Sequence, residues 1–266
     1  MKTLSKIYNF IIFAFLYTPI LLLVVFSFNV SQNRVVFKGF SLKWYEKLFN
    51  NDELMQSLIV TLSVALIAAV VATIIGTAAA VGIHSMNGKL RRTFLSVNNI
   101  PMVNPDIVTG ISLMLLFTFV YTSTGFLRPG YAALLLSHIT FCIPYVVLQV
   151  MPKLRQMNRY MYEAALDLGC HPMQAFFKVM LPEIMPGVTT GALMAFTMSL
   201  DDFVISLFTS GSSAQNLSVS IYAMVKRRVT PEINALSTLM FVAVLVMLIL
   251  VNVLQIRDQN KNKVHY

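Results

Sequence analysis

Residues 163–182 read EAALDLGCHPMQAFFKVMLP, a polar, helix-favouring stretch that lies between two strongly apolar ones. Six residues give it a fixed frame: Glu163, Ala164, Ala165, Gly169, Leu181 and Pro182. Glycine adopts the left-handed backbone region without steric cost, so Gly169 predicts a turn after a first short helix. Pro172 suits the first turn of a second helix, and Pro182 and Pro186 predict its end. The alternative is one amphipathic helix that ends at a glycine turn.

The chain is unusually apolar. Of its 266 residues, 57% are hydrophobic and 12% are charged, and its mean hydropathy is +0.72. Soluble domains carry about 25% charged residues, and a soluble protein this apolar would expose an aggregation-prone surface. The composition therefore predicts an all-α membrane protein with several spans. The net charge of +9 is explained by basic loops at the membrane edges, and no arginine-rich run with interleaved aromatics indicates nucleic acid.

A helix needs about 20 apolar residues to cross the hydrocarbon core. Six stretches meet this requirement, at about 7–28, 58–83, 94–121, 131–151, 184–208 and 235–256. The third is interrupted by Pro101 and Pro105. Asn104 as N-cap, Pro105 as first helical residue and Asp106 in the first turn predict that its helix breaks and restarts. Together the stretches predict one transmembrane domain over residues 1–266.

The orientation follows from the basic residues, which are enriched in cytoplasmic loops. If both termini lie in the cytoplasm, a majority of the 20 lysines and arginines lie there too, together with the 152–183 loop. The cluster at 226–228, KRR, is the exception, because it falls on the outer side.

Two regions outside the predicted spans, residues 40–50 and 209–233, have patterns that predict a specific structure. Residues 40–50 predict an amphipathic helix with Phe40, Trp44 and Leu48 on one face. Such a helix lies in the membrane interface or serves as an aromatic anchor, and both alternatives turn this face toward lipid. Residues 209–233 predict a long outer loop that is serine-rich and polar at its start; contact with an external partner is a hypothesis that the sequence alone does not show.

The second span carries small residues at four-residue spacing: Ala68, Ala72, Gly76 and Ala80. Small side chains let helix backbones approach closely in lipid. The stripe faces either another helix of this chain or a partner protein.

Two adjacent carboxylates, Asp201 and Asp202, fall inside the fifth predicted span. A charged residue in the membrane costs about 2.5–3.5 kcal/mol on insertion scales, so such residues usually face a water-filled path or a polar partner. On a continuous helix, one polar stripe contains Ser199, Asp202, Ser206 and Thr209. This pattern favours Asp202 over Asp201 as the lining of a pathway. The alternative is that both aspartates bond within the helix bundle.

Two isolated polar residues also lie in predicted spans. Asp106 begins a helix beside the proline break, and broken helices are also how transporters expose binding groups. His138 lies in mid-span and is interpreted as a tie between helices rather than as a ligand.

The signatures of an enzyme are missing. Gly88 and Lys89 lack the upstream glycine of a P-loop, since position 83 is isoleucine, and neither H-E-x-x-H nor G-x-S-x-G occurs. Cys142 and Cys170 have no disulfide or metal-ligand spacing, so we expect free thiols, no metal and no cofactor.

The 163–182 stretch resembles the EAA loop of ABC-transporter permeases, with Val179 where isoleucine is usual. Four further segments resemble the spermidine/putrescine permeases of the C-subunit type: GFSLKWYEKL at 39–48, NPDIVTGISLMLLF at 104–117, LLLSHITFCIPYVV at 134–147 and SLDDFVISLFTSG at 199–211. Together these segments extend over nearly the whole chain.

The resemblance implies a type I ABC-importer permease with six membrane helices in a bacterial inner membrane. Its coupling residues would be those of the frame above, with Glu163 and Ala164 against an ATPase subunit. A second permease, two ATP-binding subunits and an external polyamine-binding protein would complete the complex, and ATP would be hydrolysed on the partners. The pathway residues would be Asp202, Asp201, Ser199, Ser206 and Asp106. An importer of another small cation, and a scaffold or channel, are the alternatives.

Overall fold

The computed structural model describes residues 2–31, 36–211, 213–227 and 232–263, which are helical almost throughout. In chain order the α-helices are α1 Lys2–Ser27, α2 Lys43–Phe49, α3 Asp52–Ser85, α4 Gly88–Val103, α5 Asp106–Thr124, α6 Tyr131–Gln156, α7 Arg159–Asp167, α8 Pro172–Ala175, α9 Leu181–Asp201, α10 Val204–Thr209, α11 Leu217–Arg227 and α12 Glu232–Lys263. A π-helical turn, Phe176–Met180, joins α8 to α9. The packing divides the chain into two compact units, Met1–Ser57 with Ser220–Tyr266, and Leu58–Val219.

Five described helices are long and apolar enough to cross a membrane: Tyr8–Ser27, Asp52–Ser85, Asp106–Thr124, Tyr131–Gln156 and Pro172–Asp201. In lipid a helix satisfies its own backbone hydrogen bonds, which is why these apolar stretches fold as they do. The sixth predicted span, 235–256, lies in α12, where the apolar stretch found among the described residues, Glu232–Val246, is shorter than a span. The predicted multi-pass, all-helical fold is confirmed, with five spans rather than six in the described part of the chain.

The third predicted span, 94–121, breaks at Pro105 as predicted, and the two helices on either side differ in whether they can span a membrane. α4 and α5 end and begin on either side of Asn104 and Pro105, and only α5 qualifies as a span. Pro101 lies inside α4 without interrupting it. The predicted N-cap is wrong: Pro105 takes that position, and the Asn104 amide donates instead to the Thr109 hydroxyl at 3.2 Å. Asn104 is extended, as a residue before proline usually is, but the first bonds of α5, from the Val108 and Thr109 N–H groups, go to the Pro105 carbonyl oxygen and not to that of Asn104.

In the Leu58–Val219 unit, α6 and α9 run antiparallel along a ladder of small residues. On α9 these recur every four residues: Gly187, Gly191, Ala195 and Ser199. A Cβ on Gly191 would lie 3.3 Å from the Val146 Cα of α6, and the Cys142 thiol donates to the Ala195 carbonyl oxygen at 3.3 Å. Small side chains at this spacing let the two backbones approach closely.

α3 reaches the same point of α6. A Cβ on Gly76 would lie 2.7 Å from the Val146 Cβ, and the other members of the α3 stripe are fully buried: Ala68, Ala72 and Ala80. Of the two alternatives for this stripe, packing within the chain is therefore confirmed. The surrounding core of the unit is aliphatic, with Val147, Val150 and Ile184 inaccessible to solvent.

In the other unit, α2 packs against α12. Trp44 and Leu48 are almost completely buried, and the Trp44 indole N–H donates to the Asn29 carbonyl oxygen at 2.6 Å. The prediction that this face meets lipid is wrong for these two residues, because protein covers them. Phe40, which precedes the helix, stays exposed.

The 209–233 region is not a loop throughout, since α11 lies inside it. Asn216 caps α11: its side-chain oxygen accepts from the Val219 N–H at 3.0 Å. An asparagine directly before a stretch with recurring apolar residues is a helix-start signal. Residues 212 and 228–231, which include Arg228 of the basic cluster, lie outside the described residues.

Gly76→Ala tests the close approach of α3 to α6. The added methyl group would meet the buried Val146 side chain, so we expect the free energy of unfolding to fall by about 1–3 kcal/mol, the usual cost of overpacking. Gly82→Ala in the same helix is the matched control, because its Cβ meets nothing within 4 Å and alanine favours the helix by about 1 kcal/mol. Thermal unfolding in detergent compares the two, and equal melting temperatures would contradict the packing described.

Candidate functional site

The segment of residues 159–182 begins with a capped helix. The Asn158 side-chain oxygen accepts from the Tyr160 N–H at 3.1 Å, which starts α7. Glu163 and Ala164 are exposed on α7, whereas Ala165 is buried. α7 therefore presents an acidic and a small residue outward and uses the second alanine for packing.

Gly169 ends the first helix in the predicted way. Its φ is +85°, and its N–H donates to the Leu166 carbonyl oxygen at 2.9 Å while the Cys170 N–H donates to that of Ala165 at 3.1 Å. These two bonds form a Schellman motif, which requires the left-handed residue. A Cβ at this position would meet nothing within 4 Å, so the glycine is needed for its backbone angle and not for space. Since α8 begins at Pro172, the predicted turn and second helix are both confirmed.

Pro182 and Pro186 do not stop the second helix, contrary to the prediction. In the π-helical turn, the Leu181 N–H donates to the Phe176 carbonyl oxygen, five residues back. Pro182 then falls in the first turn of α9, directly after the π-helical turn, which changes the hydrogen-bond register where the proline has no N–H to donate. Helical structure therefore runs through Pro172–Asp201 without a loop. The two frame residues at 181 and 182 mark a change of helical register rather than an end.

The predicted continuous span 184–208 is interrupted at its acidic pair. α9 ends at Asp201, and α10 starts after a break of two residues. The Asp202 carboxylate accepts from the Ile205 N–H at 3.3 Å, and from the Ser206 N–H and hydroxyl, both at 2.8 Å. A carboxylate in this position satisfies the free N–H groups at the start of the new helix. The expected polar stripe on one unbroken helix is thus wrong, because Asp202 caps a helix start.

His138 of α6 joins both sides of this break. Its Nδ1 is hydrogen-bonded to the Ser199 hydroxyl at 2.6 Å, its Nε2 to the Ser206 hydroxyl at 3.0 Å, and its Nε2 lies 3.5 Å from Asp202 Oδ2. Asn216 donates to the Asp202 carbonyl oxygen at 3.0 Å and to the Ser206 hydroxyl at 2.7 Å. These five residues form the His138 cluster. The predicted role of His138 as a tie between helices is confirmed.

The hydrogen bonds of the His138 cluster are complete with a neutral imidazole. If Nε2 carries the proton, it donates to Ser206, whose own hydroxyl donates to Asp202, while Nδ1 accepts from Ser199. Every member then has a partner in a site from which water is excluded, since His138, Ser199 and Ser206 are at most 2% exposed. The arrangement holds a helix break in place.

The structure separates the two aspartates that the sequence places side by side. Asp202 belongs to the His138 cluster, as the alternative of bonding within the bundle requires, together with Ser199 and Ser206. Asp201 is exposed, and its carboxylate forms no hydrogen bond or ion pair with another described residue. Asp106 is likewise exposed, in the first turn of α5. Asn216 belongs to the His138 cluster although it was not predicted as a site residue, because its helix-capping signal lies in a region predicted to be a loop.

The two helix breaks belong to helices that pack together. A Cβ on Gly110 of α5 would lie 2.8 Å from the Phe208 ring of α10, so the two helices approach closely one turn after Asp106. Interrupted helices at membrane depth are tolerated where protein or water covers their backbone ends. Among the described residues, no group of three His, Cys, Asp or Glu side chains is placed to hold a metal ion.

Comparison with known sequences reveals close relatives over most of the chain. Residues 72–257 match the family described as the binding-protein-dependent transport system inner membrane component. The spermidine/putrescine transport system permease protein PotC of Haemophilus influenzae is 41% identical over 247 residues, which cover 93% of this chain and 94% of that protein. The putrescine transport system permease protein PotI of Escherichia coli is 40% identical over 235 residues, 87% and 83% of the two chains.

Solved structures share the fold at lower identity. A bacterial ABC transporter that imports alginate superimposes with a TM-score of 0.77 at 15% identity, covering 96% of this chain and 95% of that one. The methionine ABC transporter MetNI, in an inward-facing conformation, gives a TM-score of 0.60 at 21% identity, covering 78% and 96%.

Asp202→Ala tests the capping of α10. Loss of the cap and of the Ser206 partner should lower the free energy of unfolding by about 1–2 kcal/mol. Asp201→Ala is the matched control, since the neighbouring carboxylate bonds to no other described residue and its loss should leave stability unchanged. Thermal unfolding of both variants in detergent checks this, and a similar loss in Asp201→Ala would show that Asp202 has no special structural part.

Proposed function

Because the chain belongs to the family of binding-protein-dependent transport system inner-membrane components, we propose that it is the permease subunit of an ATP-driven polyamine importer. The observation that carries the proposal is the 41% identity to a spermidine/putrescine permease over 93% of this chain. The several apolar helices agree with a multi-pass membrane protein. On this proposal the chain is one transmembrane domain over residues 1–266, in a bacterial inner membrane with both termini in the cytoplasm.

The proposed complex contains a second, homologous permease, two ATP-binding subunits and a periplasmic polyamine-binding protein. Support comes from the bacterial alginate ABC transporter, one structure of which is a complex with an alginate-pentasaccharide-bound periplasmic protein. The permease itself would not be an enzyme, and ATP would be hydrolysed by its partners.

Coupling would start at the exposed side of α7. Glu163 and Ala164 would contact the ATPase subunit, and the Gly169 turn would fix α7 relative to α8. Because helical structure is continuous through Pro172–Asp201, a displacement at the turn would be transmitted along about 45 Å of helix, at 1.5 Å per residue, to the break at the acidic pair. Leu181 and Pro182 would lie where the π-helical turn meets α9.

The pathway would use the acidic pair unequally. Asp201, which is exposed and bonds to no other described residue, would offer its carboxylate to the ammonium groups of the substrate by charge-assisted hydrogen bonds. Asp202, Ser199 and Ser206 would hold the break in place through the His138 cluster. Asp106, beside the other break, would add a second negative charge. Such sites must bind weakly enough to permit release.

Uptake of labelled spermidine tests the proposal, in cells that lack polyamine import and receive the partner subunits. We expect uptake to require this chain and to fall about tenfold in Gly169→Val, since a left-handed conformation costs a non-glycine residue about 1–2 kcal/mol and a β-branched residue more. Gly169→Asn is the matched control and should retain most uptake, because asparagine tolerates this region.

Three outcomes would count against the proposal. Spermidine uptake that is independent of the chain would remove the polyamine assignment. Uptake of a different cation without competition from spermidine would replace the substrate. Equal uptake in Gly169→Val and wild type would remove the coupling role of the turn.

A further inference from the structure

A pocket of about 630 Å³ lies beside α7 in the Leu58–Val219 unit. Its walls are the end of α3 and the start of α4, the last turn of α6, α7, and the π-helical turn. Four chemically distinctive residues line it: Arg91, Arg155, Tyr162 and Glu163. The volume is typical of sites for small ligands.

The two arginines of this pocket have unused hydrogen-bonding capacity. Neither guanidinium group forms a hydrogen bond or ion pair with any residue that the structure describes; the Arg91 Nε is buried without a partner, whereas Arg155 is exposed. Glu163, in contrast, already interacts within the chain. A guanidinium group whose donors are removed from water gains most from an anion that accepts several of them at once.

The N-terminus of α4 adds a partial positive charge to the charges of the two arginines. Asn87 and Gly88 line the pocket, and the Asn87 side chain makes no capping hydrogen bond to the helix that follows. The first N–H groups of α4 therefore have no side-chain cap. Helix N-termini with free N–H groups favour negatively charged groups.

We propose that this pocket binds a phosphate group, held by Arg91 and Arg155. Planar guanidinium groups match phosphate oxygens in a bidentate geometry, whereas cationic amines are repelled by the same two charges. The positive charge of this pocket thus distinguishes it from a pathway for cations, which needs negative charge. The phosphate comes from the headgroup of an anionic phospholipid or from a free phosphate ester.

The position in the fold explains why a headgroup is one of the two sources. The pocket lies where two membrane helices end, α3 at Ser85 and α6 at Gln156. Basic pockets at the ends of membrane helices bind the headgroups of anionic lipids. Because Tyr162 and Glu163 of α7 form one wall, an occupant restrains the helix that carries the coupling residues. That regulatory consequence rests on the proposed function, whereas binding itself does not.

The experiment measures the melting temperature of the full chain, purified in a neutral detergent, against increasing ligand at constant ionic strength. One arm uses inorganic phosphate, a second uses dioctanoyl phosphatidylglycerol, and dioctanoyl phosphatidylcholine is the zwitterionic control. We expect a saturable rise in melting temperature in at least one of the first two arms. A rise with the phosphatidylglycerol alone identifies the lipid source, and a rise with inorganic phosphate alone identifies a free phosphate group as the source.

The double variant Arg91→Gln/Arg155→Gln should weaken the apparent affinity at least tenfold. Arg92→Gln is the matched control, because this exposed arginine is adjacent on α4 but does not line the pocket, and it should bind like wild type. If the double variant does not fold, Arg155→Gln at an exposed position should still weaken binding at least threefold.

The proposal is overturned if neither probe gives a saturable rise, or if the pocket variants bind as tightly as wild type. Equal weakening by Arg92→Gln would also overturn it, since general surface charge would then be responsible. The readout uses purified protein without transport, so failed spermidine uptake leaves this result unaffected.

Discussion

Val146 is the point on which the packing of the Leu58–Val219 unit depends. It meets Gly76 of α3 and Gly191 of α9, neither of which leaves room for a further carbon atom without a shift. In lipid there is little hydrophobic driving force between helices, so close van der Waals packing must hold them together. From Val146, contacts between the antiparallel helices α6 and α9 recur every four residues. Cys142 thereby meets Ala195, and His138 meets Ser199.

The helix break depends on that register. An interrupted helix leaves backbone N–H and carbonyl groups without partners, which is costly away from water. Asp202 satisfies the N–H groups of α10, and Asn216 donates to the Asp202 carbonyl oxygen. His138 bonds to serines on both sides of the break, so the register of α6 against α9 holds the interruption in one geometry. Asp201 is left outside these bonds, with its carboxylate available.

α9 has opposite electrostatic surroundings at its two ends. Just before its start, Met180 of the π-helical turn lines the same pocket as Arg91 and Arg155. At its end, Asp201 and Asp202 add negative charge to the carbonyl end of the helix dipole, which itself favours cations. The basic end agrees with a cytoplasmic position, as positively charged residues are enriched there. The acidic end suits the attraction of a cationic substrate on the proposed function.

What the sequence alone determined is local backbone chemistry and overall class. Apolar stretches long enough to span lipid, the glycine turn at Gly169 and the break at Pro105 each follow from a few neighbouring residues, because glycine and proline restrict the backbone in the same way in any context. The tertiary structure decided which partner each side chain meets. Trp44 donates a hydrogen bond to the Asn29 carbonyl oxygen. Asp202 and Asn216 are hydrogen-bonded at a helix break that the apolar pattern of the fifth predicted span does not indicate. Similarly, a π-helical turn before Pro182 allows the helix to continue beyond this proline. The physical reason is that these contacts join residues far apart in the chain, as His138 and Ser206 are, and their energies depend on a register between helices that no single helix contains.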